Sequence, residues 1–115
     1  MAADPKKLIQ ELSQGNQAFM KKNLKFGRAF AGAVEEASKD GALSRKVKEL
    51  IFTALSLNQQ CEYCIAHHAT EAMQAGATEE EVYEAAQVAV AMGGGPTWTY
   101  AVTLLRETVE SFSRK

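Results

Sequence analysis

The chain has little of most things that mark specialised proteins. Its 115 residues include two cysteines, two histidines, two prolines and one tryptophan. Two cysteines cannot make a disulfide scaffold for a chain this long; a close pair in a reducing compartment points to redox or metal chemistry. The net charge is −1, from 13 basic and 14 acidic residues. That balance predicts no nucleic acid and no anionic membrane as partner, because both need clustered Lys and Arg. No apolar run approaches the ~20 residues needed to span a bilayer. The stretch Met1-Ala2-Ala3-Asp4-Pro5-Lys6-Lys7 lacks the apolar core of a secretory signal, so a cytoplasmic location is expected. Nor does any segment alternate apolar and polar residues between turn signals, and there is no linker, low-complexity segment or clear repeat.

What is present reads as helix. Asp4-Pro5 is an N-cap followed by Pro at the first helical position. Leu8, Ile9, Leu12, Phe19 and Met20 then recur at helical spacing, with a break expected near Gly15-Asn16. Leu24, Phe26, Phe30 and Val34 predict a second helix, with Glu35-Glu36 on its wet face and an end at Lys39-Asp40-Gly41. Ser44 caps a third helix carrying Val47, Leu50, Ile51, Ala54, Leu55 and Leu57; its C-terminal half is expected to be buried, with Glu49 at the edge. Asn58-Gln59-Gln60 is a polar break. A fourth helix runs from about Cys61 to the C′ glycine Gly76. Thr78 with Glu81 forms a capping box for a fifth, striped by Val82, Ala85, Ala86, Ala89, Val90 and Met92. Gly93-Gly94-Gly95-Pro96 leads into a sixth, from about Thr97 to Phe112, with Trp98, Ala101, Val102, Leu105, Val109 and Phe112 apolar. The expectation is an all-α, single-domain bundle of about six helices over residues 1–115. A chain this short, 46% apolar, favours association with its own copies. Trp98, Tyr100, Phe26 and Phe30 are the expected interface aromatics.

Both cysteines and both histidines fall in one stretch of eight, Cys61-Glu62-Tyr63-Cys64-Ile65-Ala66-His67-His68. A Cys-x-x-Cys at a helix start brings two sulfurs within bridging reach. A thiolate there meets the positive end of the helix macrodipole. At ~100° per residue, Cys61, Cys64 and His68 lie on one stripe, and His67 lies about a quarter-turn off it. An imidazole beside a thiol can take its proton. Two plain buried cysteines would not need His68 on their stripe. Zinc competes as a reading, but Cys61, Cys64 and His68 are three ligands where a structural site wants four. Haem attachment would need His at position 65, which is Ile. The glycine run lacks a phosphate-loop Lys-Ser/Thr, and Glu79-Glu80-Glu81 is a helix start rather than a metal site.

These residues resemble the alkyl hydroperoxidase D-like branch of the carboxymuconolactone decarboxylase family. The resemblance rests on Glu49 twelve residues before the Cys-x-x-Cys-x-x-x-His of Cys61, Cys64 and His68. Gly41-Ala42-Leu43, Lys48-Glu49-Leu50-Ile51, Gly76-Ala77-Thr78 and Met92-Gly93-Gly94-Gly95-Pro96 support it, over roughly residues 20–105. The resemblance implies an antioxidant thiol peroxidase, or dithiol-disulfide oxidoreductase, whose catalytic residues are Cys61, Cys64, His68 and Glu49, with no cofactor and no metal. Peroxide attack would fall on Cys64, Cys61 would donate a proton and then resolve the sulfenic acid, and Glu49 with His68 would relay protons. It also implies a homo-oligomer, as a hexamer built of three dimers. Lipoyl proteins, thioredoxin-like proteins and small thiols are all compatible electron donors. Tyr63 stands where the best-known members have a His. The decarboxylase members lack the Cys pair, so a lyase of that type is a weaker alternative, as is a non-catalytic or zinc-stabilised binding module.

Overall fold

A computed structural model describes residues 3–114; Met1 and Ala2, part of the stretch read above for a signal, and Lys115 lie outside it. Among the described residues all regular structure is helical. Helix α1 spans Pro5–Lys22, and the Asp4 side chain accepts from the Lys6 N–H at 3.1 Å. It runs unbroken through Gly15, contrary to the expected break. A single interior glycine costs only ~1 kcal/mol, and docking of Pro5 and Leu8 in the core offsets that.

Helix α2 spans Leu24–Ser38 and buries none of its residues. Helix α3 spans Arg45–Gln59, so it continues through the Asn58-Gln59 stretch read as a break; Ser44 Oγ accepts from the Val47 N–H at 3.1 Å. Its C-terminal half is buried on one face only. Thr53, Ser56 and Leu57 are covered, whereas Ile51 and Leu55 are exposed. The buried hydroxyls of Thr53 and Ser56 donate to the Glu49 and Phe52 carbonyls at 2.8 and 2.7 Å, so burial leaves no donor stranded.

Helix α4, Glu62–Gln74, lies at the centre, packed on α1, α3 and the C-terminal segment. It turns Ile65, Ala66, Ala69 and Ala72 inward, a stripe at helical spacing. Three of these are alanines, which lets the neighbouring helices approach closely. The helix ends as expected of a C′ glycine: Gly76 has φ 102°, and the Ala77 N–H donates to the Ala72 carbonyl at 2.9 Å.

Helix α5, Glu79–Gly93, starts on the full capping box of Thr78 and Glu81. Glu81 also pairs with Lys46 at 2.9 Å, tying the starts of α3 and α5 together. The last segment departs from a single regular helix. It comprises α6 (Gly95–Tyr100), a π-helical stretch (Ala101–Leu105) and α7 (Arg106–Ser113). The wider π turn rotates the apolar stripe, so Leu105 and Val109 are fully buried while Trp98 stays 59% exposed. Trp98 and Val102 instead line an open groove of about 670 Å³ with Tyr83 and Val90. Leu57, Ile65, Val82, Leu105 and Val109 form the sealed centre of the core.

Candidate functional site: a dithiol pair beside a buried carboxylate–imidazole pair

Cys61 is held by two helices at once. At the end of α3, Gln60 adopts a left-handed conformation (φ 56°, ψ 40°). The Gln60 N–H then donates to the Leu57 carbonyl at 3.1 Å, and the Cys61 N–H to that of Ser56 at 3.2 Å. This closes α3 with the paired hydrogen bonds of a Schellman motif. The same Cys61 is the N-cap of α4, its Sγ accepting from the Cys64 N–H at 3.2 Å. A sulfur at an N-cap faces unsatisfied N–H donors and the positive end of the helix, an environment that favours thiolate. Cys61 and Cys64 are joined as a disulfide with their Cα atoms 5.2 Å apart.

One turn beyond Cys64, His68 meets α3. Its Nδ1 lies 2.8 Å from Glu49 Oε1. Glu49 is only 4% exposed, so the edge position expected of it is in fact an interior one. A carboxylate can only accept, so Nδ1 is the donor in this contact. Phe52, one turn after Glu49 on α3, stacks on the His68 ring with centroids 4.4 Å apart and planes 11° from parallel. Glu49 and Phe52 thus fix both the donor nitrogen and the plane of the imidazole. All four residues proposed from the sequence lie on α3, α4 and the turn between them.

His67 is not the bystander that its place off the stripe suggests. Its ring meets His68 edge-on at 4.8 Å, and burial, followed by the proximity of His68, holds its pKa below the ordinary histidine value. Adjacent positions on a helix packed on both sides can both be partly buried, as His67 and His68 are. Together, His67, His68 and Glu49 line a cavity of about 390 Å³, with Arg45 on α3 and Val34 and Ser38 on α2. Arg45 is paired with Glu71 at its rim. Neither cysteine lines it among the described residues, so the Glu49–His68 pair has a face of its own.

Tyr63, between the cysteines, is exposed and donates its hydroxyl to Glu11 Oε1 on α1 at 3.1 Å. That hydrogen bond, with the charge of Glu11, raises the Tyr63 pKa, so it stays a neutral phenol. Among the described residues, no cluster of three or more His, Cys, Asp or Glu side chains is arranged to hold a metal ion. No helix there is long and apolar enough to cross a membrane.

An all-helical bundle with a bridged Cys-x-x-Cys at a helix head and a buried Glu–His pair defines a helical protein with a cysteine-pair site, and comparison places it in a family. The chain belongs to the carboxymuconolactone decarboxylase family, whose sequence pattern matches residues 25–107. An uncharacterized protein of Cupriavidus necator is 40% identical over 73 residues, 64% of this chain and 65% of that protein. An uncharacterized protein from the cox locus of Paracoccus denitrificans is 37% identical over 73 residues, 64% of this chain and 66% of its own length. The matched stretch is therefore just under two thirds of each of these curated relatives. Among solved structures, a carboxymuconolactone decarboxylase family protein of Legionella pneumophila is 36% identical, with a TM-score of 0.90 over 96% of this chain and 99% of that one. A Thermotoga maritima protein of the same family, described as having a possible part in an antioxidative response, is 28% identical with a TM-score of 0.76 over 94% of both chains.

Proposed function

We propose that the protein is a thiol peroxidase of the alkyl hydroperoxidase D type, cycling Cys61 and Cys64 between dithiol and disulfide. The observation that carries this is the placement of the Cys61–Cys64 bridge at the head of α4, one turn before an imidazole held by a buried carboxylate. In the reduced protein Cys64, as thiolate, attacks a peroxide oxygen. The O–O bond breaks, the leaving oxygen takes a proton, and Cys64 becomes a sulfenic acid. Cys61 then attacks the Cys64 sulfur, hydroxide leaves as water with a second proton, and the disulfide forms. Glu49 and His68 hold and return the protons. Two electrons from a thiol donor, a lipoyl or thioredoxin-like protein or a small thiol, restore the dithiol. The working form is a homo-oligomer, a hexamer built as three dimers, acting in the cytoplasm.

The test starts from fully reduced protein. One equivalent of hydroperoxide should remove both thiols together and leave an intrachain bridge detectable by mass spectrometry. Retention of both thiols after excess peroxide would overturn the reading. So would stoichiometric zinc in the purified protein that is lost on Cys61→Ser.

A further inference from the structure

Charge is unevenly placed along the chain. All 13 Lys and Arg residues fall outside positions 49–105, a span that holds both cysteines and seven glutamates. The basic residues of α3 are Arg45, Lys46 and Lys48, all at its start. From Lys48 to Gln60 the backbone rises roughly 18 Å, further than the ~10 Å over which exposed charges act at 0.1 M salt. Helix α4 carries no Lys or Arg at all.

The bridge is rimmed by carboxylates instead. Cys61 and Cys64 are both partly exposed, and the two residues between them, Glu62 and Tyr63, are exposed. Tyr63 reaches across to α1, where its hydroxyl donates to Glu11 Oε1 at 3.1 Å. That bond tethers an exposed carboxylate of α1 to the residue directly before Cys64. The Glu11 hydrogen bond and charge, and then the charge of Glu62, raise the Tyr63 pKa, so both carboxylates bear on the same phenol. Neither Glu11 nor Glu62 has an ion-pair partner among the described residues. Lys7, one turn before Glu11 on α1, leaves it unpaired.

We propose that Glu62 and the Tyr63-tethered Glu11 select the electron donor by charge, favouring a donor with positive charge beside its thiol and disfavouring an anionic one. The reason lies in the exchange step. A donor thiolate attacks one sulfur of the bridge, the Cys61–Cys64 bond breaks, and the released sulfur leaves as thiolate and takes a proton. A second donor thiol then attacks the mixed disulfide. The donor departs as its own disulfide, and its two electrons remain on the two cysteines. The attacking species is negative, so two fixed carboxylates repel it, and a cation carried beside the thiolate offsets that repulsion. Tyr63 acts here as a positioning residue, through Glu11. The inference rests on the dithiol–disulfide cycle proposed above but not on peroxide as the oxidant, and its test contains no peroxide.

The experiment is reduction of the bridged full chain by cysteamine, which is cationic, and by mercaptoacetate, which is anionic. Samples are quenched, alkylated and read by mass spectrometry. Each rate is divided by the same thiol's rate with hydroxyethyl disulfide, an uncharged reference that cancels intrinsic nucleophilicity and thiolate fraction. At low salt the normalised rate should be roughly fivefold or more higher for cysteamine, and about 0.5 M salt should bring the ratio close to one. Glu11→Gln and Glu62→Gln should each narrow the ratio, and Glu11→Lys should narrow it further. Tyr63→Phe, which keeps the ring and frees Glu11, should narrow it as well. Glu84→Gln should leave it unchanged: Glu84 is exposed on α5, one turn from the Glu81–Lys46 pair and so near the start of α3. Equal normalised rates in wild type, or equal narrowing by Glu84→Gln, would overturn the selection. A Tyr63→Phe ratio like that of wild type would overturn the tether. A bridge that neither thiol reduces would defeat the dithiol–disulfide cycle and this inference with it, whereas equal rates defeat the inference alone.

Discussion

Replacing Glu49 with Gln tests the carboxylate–imidazole pair most directly. The substitution preserves shape, and the amide oxygen can still accept from His68 Nδ1 across the 2.8 Å gap. What it removes is the negative charge facing Nδ1. Glu49 is 4% exposed, so bulk water does little to screen that loss. A hydrogen bond to a charged group contributes about 1.5–3 kcal/mol, and each ~1.4 kcal/mol is a factor of ten in rate, so peroxide-driven thiol oxidation should slow about 10- to 150-fold. That range overlaps the ~10²- to 10⁴-fold typical of general acid–base catalysis. His68→Gln should do comparable damage, and the double variant should be little worse than either single one, since groups acting as a unit are not additive. The assay is stopped-flow loss of thiols from reduced protein against hydroperoxide from pH 5 to 9, with circular dichroism to confirm folding. A folded Glu49→Gln protein that reacts like wild type across that range would refute the relay.

His67 should matter for stability more than for turnover. Burial lowers its pKa in the folded protein, so the fold favours the neutral ring. Stability from this group is then fully present above the unfolded value of about 6.5 and is lost as the pH falls below it. Melting temperature should accordingly fall below about pH 6.5 in wild type and fall less in His67→Gln, whose thiol oxidation at pH 7 should be nearly unchanged; equal acid limbs would count against this. Thr78→Ala removes the side chain that accepts the Glu81 N–H and should cost about 1 kcal/mol, or roughly 4–8 °C in melting temperature. Gly93→Ala should destabilise by about 1–3 kcal/mol, because its Cβ would collide with the Thr97 and Asn58 side chains, which are hydrogen-bonded to each other at 2.8 Å. Gly15→Ala, in an exposed helix interior with nothing near the new methyl, should instead stabilise by about 0.5–1 kcal/mol; thermal denaturation of the pair gives opposite signs or refutes the packing argument.

Local chemistry is what the sequence determined without help. Asp4, Ser44, the Thr78–Glu81 box and Gly76 mark helix ends through hydrogen bonds that reach no more than five residues along the chain. A Cys-x-x-Cys-x-x-x-His lies on a single helix and its capping residue, so helical geometry alone aligns its three side chains. Glu49 was different. Nothing in its surroundings distinguishes it from an ordinary surface carboxylate, and only its match to a family signature singled it out.

Tertiary packing made the other decisions. Glu49 and His68 are 19 residues apart on separate helices, and their 2.8 Å contact exists because α3 lies along α4. The same packing half-buries His67, which the helical spacing only placed a quarter-turn off the cysteine stripe. The unbroken run of α1 through Gly15 and the π-helical turn at Ala101–Leu105 carry no signal in the local sequence. Periodicity marks Phe26, Phe30, Trp98 and Val102 as apolar faces, but it cannot say what covers them. Within the chain these four stay exposed.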